Sequence, residues 1–418
     1  MIFLLIAFVL LFPSTINMPD QTQTYSVVLG VGIDKSGDEF EISTQVLTSK
    51  TNQGFLESLQ VHSTKGENIL DAVEKLSVHL GRISGFGNTS VLVFSEEVAK
   101  EGIAEMLDFF IRSKRLNGNP FILVTQKSAK DLLSDVAKID ESFNYSLNSL
   151  AKLNSEFASG TILTLEDFLN NYYGGTTASI IAQINETTNE DDGILVPEGN
   201  GTGSGGASGD SGGGDSGGEM GGQSQGGSSG GASQSSKKVI SNTGQSSLFV
   251  GSKQVAVLSP EDLEGINILL GLKRNSATVE NVTDNIYQNA TVALSVKNSV
   301  KTKSLKFKNG IPQVYFDIHY VFKVEQIMQN GNDQIILNGS NNYITPALKQ
   351  KIREKILTYA AKSVNLCKEY NADVYGLQDA FYKFHPKQWK KYIKSLPDKS
   401  TAFQNIEFFL NIKISGNL

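Results

Sequence analysis

Two stretches of the chain spell the surroundings of a catalytic serine: Gly209-Asp210-Ser211-Gly212-Gly213 and Gly214-Asp215-Ser216-Gly217-Gly218. In a chymotrypsin-type site this pattern holds a nucleophile activated by a base, with backbone N–H groups to receive the oxyanion. Gly201-Thr202-Gly203-Ser204-Gly205-Gly206 likewise spells the glycine fingerprint of a dinucleotide-binding turn. All three lie between Gly199 and Gly231, where nearly every residue is Gly, Ser, Gln, Asp or Ala, so the matches follow from composition. A nucleophile needs a rigid partner base, and the fingerprint needs a strand before it and a helix after it. This stretch can supply neither, because it has no apolar surface whose burial would offset the entropy of ordering it.

Other chemistry-bearing residues are sparse. Cys367 is the one cysteine, so a single chain builds neither a disulfide framework nor a Cys-based zinc site. His62, His79, His319 and His385 are scattered, with no pair at metal-ligand spacing. There is no P-loop, no H-E-x-x-H and no EF-hand loop. Cys367 falls on the apolar stripe of a helix and reads as a packed thiol. His319 falls on the polar face of a strand and reads as a surface group. His79 sits near a helix end, and Asp34 closes a strand, where a turn role is expected. Lys387, Lys390, Lys391 and Lys394 make the C-terminal region locally basic. They read as a solvated helix face or as a face toward anionic headgroups or an acidic partner. No catalytic, cofactor-binding or metal-binding residue is singled out, and no ligand-binding residue is identifiable. The net charge of −6 argues against a nucleic-acid binder.

The elements around these residues follow from periodicity and punctuation. Ile2 to Phe12 is an apolar run closed by Pro13. It is shorter than the about 20 residues that cross a bilayer, and reads as an export signal or short anchor. Tyr25–Ile33, the turn Lys35-Ser36-Gly37-Asp38, and the alternating Phe40, Ile42, Thr44 and Val46 predict a hairpin. Thr64 and Glu67 suggest a capping box before a helix that buries Ile69, Ala72, Val73, Leu76 and Leu80. Ser90–Phe94 and Phe121–Thr125 read as buried strands. Ser95, Ser128 and Thr164 open helices, the first with Ala99, Ile103, Met106, Leu107 and Phe110 on one stripe. Leu248–Leu258 suggests one or two strands, and Ser259-Pro260-Glu261-Asp262 starts a helix. Lys308-Asn309-Gly310 is a hairpin turn. The strand after it alternates Val314, Phe316, Ile318, Tyr320, Phe322 and Val324. Thr345-Pro346 starts a long helix, and Ile406–Ile414 forms a closing strand.

These patterns predict an α+β chain of three mixed α/β domains. An N-terminal helix-covered mixed sheet precedes a C-terminal antiparallel sheet crossed by a long helix. The expected division is 1–20 signal or short membrane anchor, 25–185 N-terminal α/β domain, 186–238 Gly/Ser-rich flexible linker, 239–278 small middle domain, and 279–418 C-terminal α+β domain. A Gly/Ser coil of some 35 residues, about the length of Gly199–Gly231, spans roughly 30–35 Å, and loosened coupling across it is expected.

The segment Tyr375-Gly376-Leu377-Gln378-Asp379-Ala380-Phe381-Tyr382-Lys383-Phe384-His385-Pro386-Lys387-Gln388-Trp389 resembles the C-terminal signature of the Ger(x)C family. These are the C subunits of nutrient-germinant receptors of endospore-forming bacteria. Gly30-Val31-Gly32-Ile33-Asp34-Lys35 resembles the family's first strand. Asn88–Ala99 with Gly102-Ile103 resembles its strand–helix unit, and Leu248–Leu270 fits its middle segment. The pieces come in the family's order on both sides of the Gly/Ser stretch. The resemblance implies a non-enzymatic protein on the outer, extracytoplasmic face of the spore inner membrane. It implies assembly with integral-membrane A- and B-type receptor subunits in germination signalling, with no cofactor and with small-molecule contact left open. Members carry an acylated cysteine just after the signal, whereas no cysteine follows the Ile2–Pro13 run here. A free-standing extracytoplasmic solute-binding or adhesion protein is the alternative, and an envelope hydrolase the remote third.

Overall fold

A computed structural model describes residues 25–50, 56–113, 116, 118–139, 147, 163–174, 178–187, 194–195, 239–241, 244–271, 276–284, 287, 289–329 and 344–416. The apolar run Ile2–Phe12 and the Gly199–Gly231 stretch lie outside the described residues.

The chain opens with β1 (Tyr25–Ser36) and β2 (Glu39–Lys50), the expected hairpin, turned at Gly37. A third strand, β3 (Leu56–Gly66), pairs antiparallel with β2 and occupies the place where a helix start was expected. Thr64 belongs to this strand and donates its hydroxyl to the Ala72 carbonyl. Asn68 caps the helix α1 (Ile69–Leu80) instead, accepting from the Asp71 N–H. An extended neighbour consumed the residue that the Thr64/Glu67 pattern had assigned to the cap.

β4 (Ile83–Gly85) and β5 (Val91–Ser95) both lie parallel to β1, and β6 (Phe121–Thr125) lies parallel to β5. The two-residue β7 (Leu163–Thr164) closes this seven-stranded mixed sheet. Ser95 caps α2 (Glu96–Glu101), as its position predicts. The single helix expected from there to Phe110 is broken, however. Gly102 takes φ 126, a conformation other residues rarely adopt, and the chain restarts as α3 (Ala104–Arg112). The stripe survives the break, because Ala99, Ile103, Met106, Leu107 and Phe110 are all buried in one core with α1. α5 (Leu165–Tyr173) joins that face behind a Thr164/Asp167 capping box. On the opposite face α4 (Ala129–Ile139) packs Leu132, Leu133 and Val136 over Val91, Val93 and Leu123.

The chain then builds a junction. β8 (Ala178–Ala182) pairs antiparallel with β12 (Ser246–Val250), which pairs with β13 (Lys253–Leu258). β9 (Asn185–Thr187), β10 (Ile194–Leu195) and β11 (Val239–Ser241) form a separate three-stranded sheet, with Val239 opposite both Thr187 and Leu195. The residues before and after the Gly/Ser stretch are therefore hydrogen-bonded to each other. The loosened coupling expected of a tether gives way to direct pairing of β8 with β12, reinforced where the Ile184 N–H donates to Val124 in the first sheet.

From β13 the chain enters α6 (Pro260–Leu270), capped by Ser259 and Asp262 with proline at its start. Of Leu263, Ile266 and Leu270, the face that the sequence predicts to be buried, the first two are buried and Leu270 is half-buried, while Gly265, Asn267, Ile268 and Leu269 are buried as well. The helix is enclosed, which explains why no clean polar face marks it. Beyond it β14 (Ser276–Val282), β15 (Ala290–Lys308) and β16 (Ile311–Gln329) run antiparallel. Asn309 and Gly310, both at positive φ, turn the β15–β16 hairpin as the sequence predicts. β17 (Glu407–Gly416) pairs parallel to β16, so the antiparallel sheet gains one parallel edge. Three intervening helices carry the chain back to the start of β16, and that crossover fixes the parallel sense. They are α7 (Pro346–Glu369), α8 (Leu377–Phe384) and α9 (Pro386–Ser395). Val314, Phe316, Ile318, Tyr320 and Phe322 face the helices in one core that runs back through α6 to Leu248 and Ile180.

Candidate functional site

Asp34, Asp373 and Cys367, whose types could do acid–base or nucleophilic work, hold architecture here. Asp34 is buried at the end of β1 and caps a helix 95 residues away. Its carboxylate accepts from the Ala129 N–H at 2.7 Å, the Lys130 N–H at 2.9 Å and the Ser128 hydroxyl at 3.3 Å. It ties β1 to the positive end of α4 rather than shaping its own turn. Burial pushes its carboxyl above the ordinary range, against the pull of those donors. Asp373 repeats the device, accepting from the Leu377 and Gln378 N–H groups at the start of α8. Burial again raises its carboxyl.

Cys367 is fully buried, as its stripe position predicts, and burial pushes its thiol up to about 12. A thiol held protonated is a poor nucleophile. His319 lies exposed on the sheet, with Nε2 2.9 Å from the Ser415 hydroxyl. His79, in the last turn of α1, is brought near His62 of β3, with ring centroids 6.3 Å apart. The sequence separation of these two gave no warning of the approach. Among the described residues no group of three or more His, Cys, Asp or Glu could hold a metal ion.

The signature segment assembles a structural clamp with one dressed outer surface. Gly376 adopts φ 62 and turns the chain into α8. Phe381 on α8 stacks on Trp389 of α9 at 5.5 Å with an interplanar angle of 9°. Tyr392 continues the row at 5.2 Å from Trp389 and donates its hydroxyl to the Ala402 carbonyl. Phe307, near the β15–β16 turn, meets Phe381, His385 and Tyr392 edge-on. His385 sits between the helices, with Nε2 3.1 Å from the Leu305 carbonyl and Nδ1 3.1 Å from the Gln388 side chain. Pro386 then starts α9 without needing an N–H. Aromatic pairs of this kind each add about 0.5–1.5 kcal/mol beyond their area burial. The spacing of aromatics in the segment is therefore explained by packing.

What faces outward is different in kind. Tyr382 and Phe384 are 54% and 74% exposed. Lys383, Lys387, Lys390, Lys391 and Lys394 are all exposed around them. With Trp389 and Tyr392 turned inward, the four lysines of α9 form its outer stripe, as the periodicity of the segment requires. This corner sets charged side chains beside exposed rings. It carries charge and exposed aromatic rings but no constellation for bond-making. No described helix is long and apolar enough to cross a membrane.

Comparison with known proteins agrees with the order of these pieces. Residues 21–186 match the family described as the spore germination protein N-terminal domain. Residues 244–415 match the family described as spore germination B3/GerAC like, C-terminal. A curated relative named spore germination protein KC, from Bacillus subtilis (strain 168), is 20% identical over 378 residues. That alignment covers 88% of this chain and 83% of the relative. A crystal structure of the GerBC protein aligns at 15% identity and a TM-score of 0.47, covering 94% of this chain and 98% of that one. With a matching family unit on each side of the Gly/Ser stretch, and in the same order, the chain belongs to the Ger(x)C family of spore germination proteins.

Proposed function

We propose that this protein is the C-type subunit of a nutrient germinant receptor. It is held on the extracytoplasmic face of the spore inner membrane and assembles there with integral-membrane A- and B-type subunits. The observation that carries this reading is the pair of family matches, which together take in both structured halves of the chain. The structural commitments of Asp34, Asp373 and Cys367 support a binding and assembly role rather than an enzymatic one. The division into an N-terminal unit, a small middle piece and a C-terminal unit belongs to this proposal. The middle piece acts as the joint, since its β12 pairs with β8 and its α6 packs on α7.

The test is isolation of the tagged protein from its own spores. The reading expects it in the membrane fraction together with integral-membrane subunits. A protein recovered alone and soluble would instead favour the free-standing binding protein.

A further inference from the structure

The whole chain is acidic, yet between Gly376 and Ser400 six lysines stand against two aspartates. Both aspartates are engaged locally. Asp379 holds Lys383 at 2.7 Å, and Asp398 accepts from the N–H and hydroxyl of Ser400. Lys387, Lys390, Lys391 and Lys394 pair with no carboxylate among the described residues. The β15–β16 turn adds to the same surface. Ile311, 41% exposed, lines a shallow groove with Asn309, Gln388, Lys391 and Ser395. The corner therefore presents a lysine stripe together with the exposed rings of Tyr382 and Phe384 and one exposed isoleucine.

We infer that this corner docks on an anionic lipid surface. The ammonium groups meet headgroup phosphates, and Phe384 with Tyr382 enters the interfacial layer. Three features favour lipid over a protein partner. The stripe is made of lysine alone, the residue that protein interfaces deplete while they enrich arginine. Lysine stems can lie along the interface while their charges stay in water. The aromatic rings stand exposed at a helix end instead of lining a pocket where a partner's anchor residue could be buried. Aromatic residues at headgroup depth and basic residues facing anionic lipid are the recurring composition of membrane-surface contacts. The clamp of Phe381, Trp389 and Tyr392 holds both helices on the sheet, so the corner is presented without refolding. The inference rests on the membrane-associated reading above only for where such a surface would be met.

The experiment is co-sedimentation of the full chain with phosphatidylcholine vesicles, with and without a third of phosphatidylglycerol, at low and high salt. The variants are Lys387→Gln, Lys390→Gln, Lys391→Gln and Lys394→Gln combined, and Phe384→Ser alone. A charge-matched control combines Lys127→Gln, Lys253→Gln, Lys349→Gln and Lys351→Gln, which lie outside this segment. Circular dichroism confirms that each variant is folded. Wild type is expected to prefer the anionic vesicles and to lose that preference in high salt. The α9 variant is expected to lose binding about a hundredfold or more, while the control stays near wild type. Phe384→Ser is expected to lose about tenfold without changing the salt dependence.

Equal binding to both vesicles would overturn the inference, because the apolar N-terminal run alone would then account for it. Equal losses in the α9 and control variants would overturn it as well. So would an α9 variant that keeps vesicle binding but loses capture of integral-membrane partners in detergent, since the corner would then be a protein interface. A chain that binds vesicles through this corner yet is isolated from spores without partners would keep the inference and remove the receptor reading.

Discussion

The joint between the middle piece and the C-terminal sheet turns on one glycine. At Gly265 α6 comes so close to α7 that an added Cβ would lie 2.1 Å from the Tyr359 carbonyl oxygen, 2.6 Å from its carbon and 2.7 Å from the Ser363 hydroxyl. Ordinary carbon contacts begin near 3.5 Å, so Gly265→Ala demands a separation of more than about 1 Å. The nearest atoms are backbone and cannot rotate away. Two effects oppose each other. Alanine gains about 1 kcal/mol of helix propensity over glycine. Overpacking costs about 1–3 kcal/mol, and a rigid carbonyl places this site at the upper end. Separation would also loosen Leu263 and Ile266 from their core and stretch the Lys362–Asp262 ion pair at 3.1 Å. The net expectation is about 2 kcal/mol of destabilisation. Trp389, the single tryptophan, is buried in the C-terminal clamp and reports the transition by fluorescence during urea unfolding. Gly118→Ala, where nothing lies within 4 Å of the added carbon, serves as the control. A Gly265→Ala protein as stable as wild type, or about 1 kcal/mol more stable, would refute the close approach of α6 and α7.

Two further outcomes follow from the joint and its flanks. Replacing the 43 residues from Val196 to Lys238 with a four-residue Gly/Ser turn shortens the connection between Leu195 and Val239, which are paired. At about 0.6 kcal/mol per doubling of loop length, stability to urea should rise by about 2 kcal/mol. No gain would mean that β10 and β11 do not close the loop. Asp262 contributes to the acid side of the pH dependence. Burial raises its carboxyl, but the Ser259 hydroxyl and Lys362 outweigh that effect and leave it below the ordinary value of 3.8. Its contribution to stability is therefore present above pH 3.8 and lost as pH falls through the lower, folded value. Asp262→Asn should flatten this acid limb of the urea-stability profile and cost about 1 kcal/mol at neutral pH through the weakened cap. An unchanged limb would remove Asp262 from that role.

Local signals in the sequence carried far, and they stopped where contacts became long-range. The caps at Ser95, Thr164 and Ser259, the Asn309-Gly310 turn and the alternating β16 strand were legible because each is decided within a few residues. β3 was not, since a strand that borders an open sheet edge and carries Ser58, Gln60, His62 and Ser63 has weak alternation. The sense of β17 depended on three helices of crossover, which its own alternation does not encode. Among candidate-site residues, the lysines of α9 were legible from composition, and Cys367 from its stripe. The cap that Asp34 provides to α4 was hidden, because the donors lie 94 to 96 residues downstream. The stack of Phe381 on Trp389 required the turn at His385, whose role is set by the Leu305 carbonyl of a distant strand.

The central claim, assembly of this chain into a membrane receptor, is tested most directly by affinity isolation from its own spores. An epitope-tagged chain would be extracted from the inner-membrane fraction in mild detergent, and its companions identified by mass spectrometry. The account predicts that integral-membrane A- and B-type subunits co-isolate in fixed proportion with it. Recovery of the tagged chain from the soluble fraction, without integral-membrane companions, would contradict it.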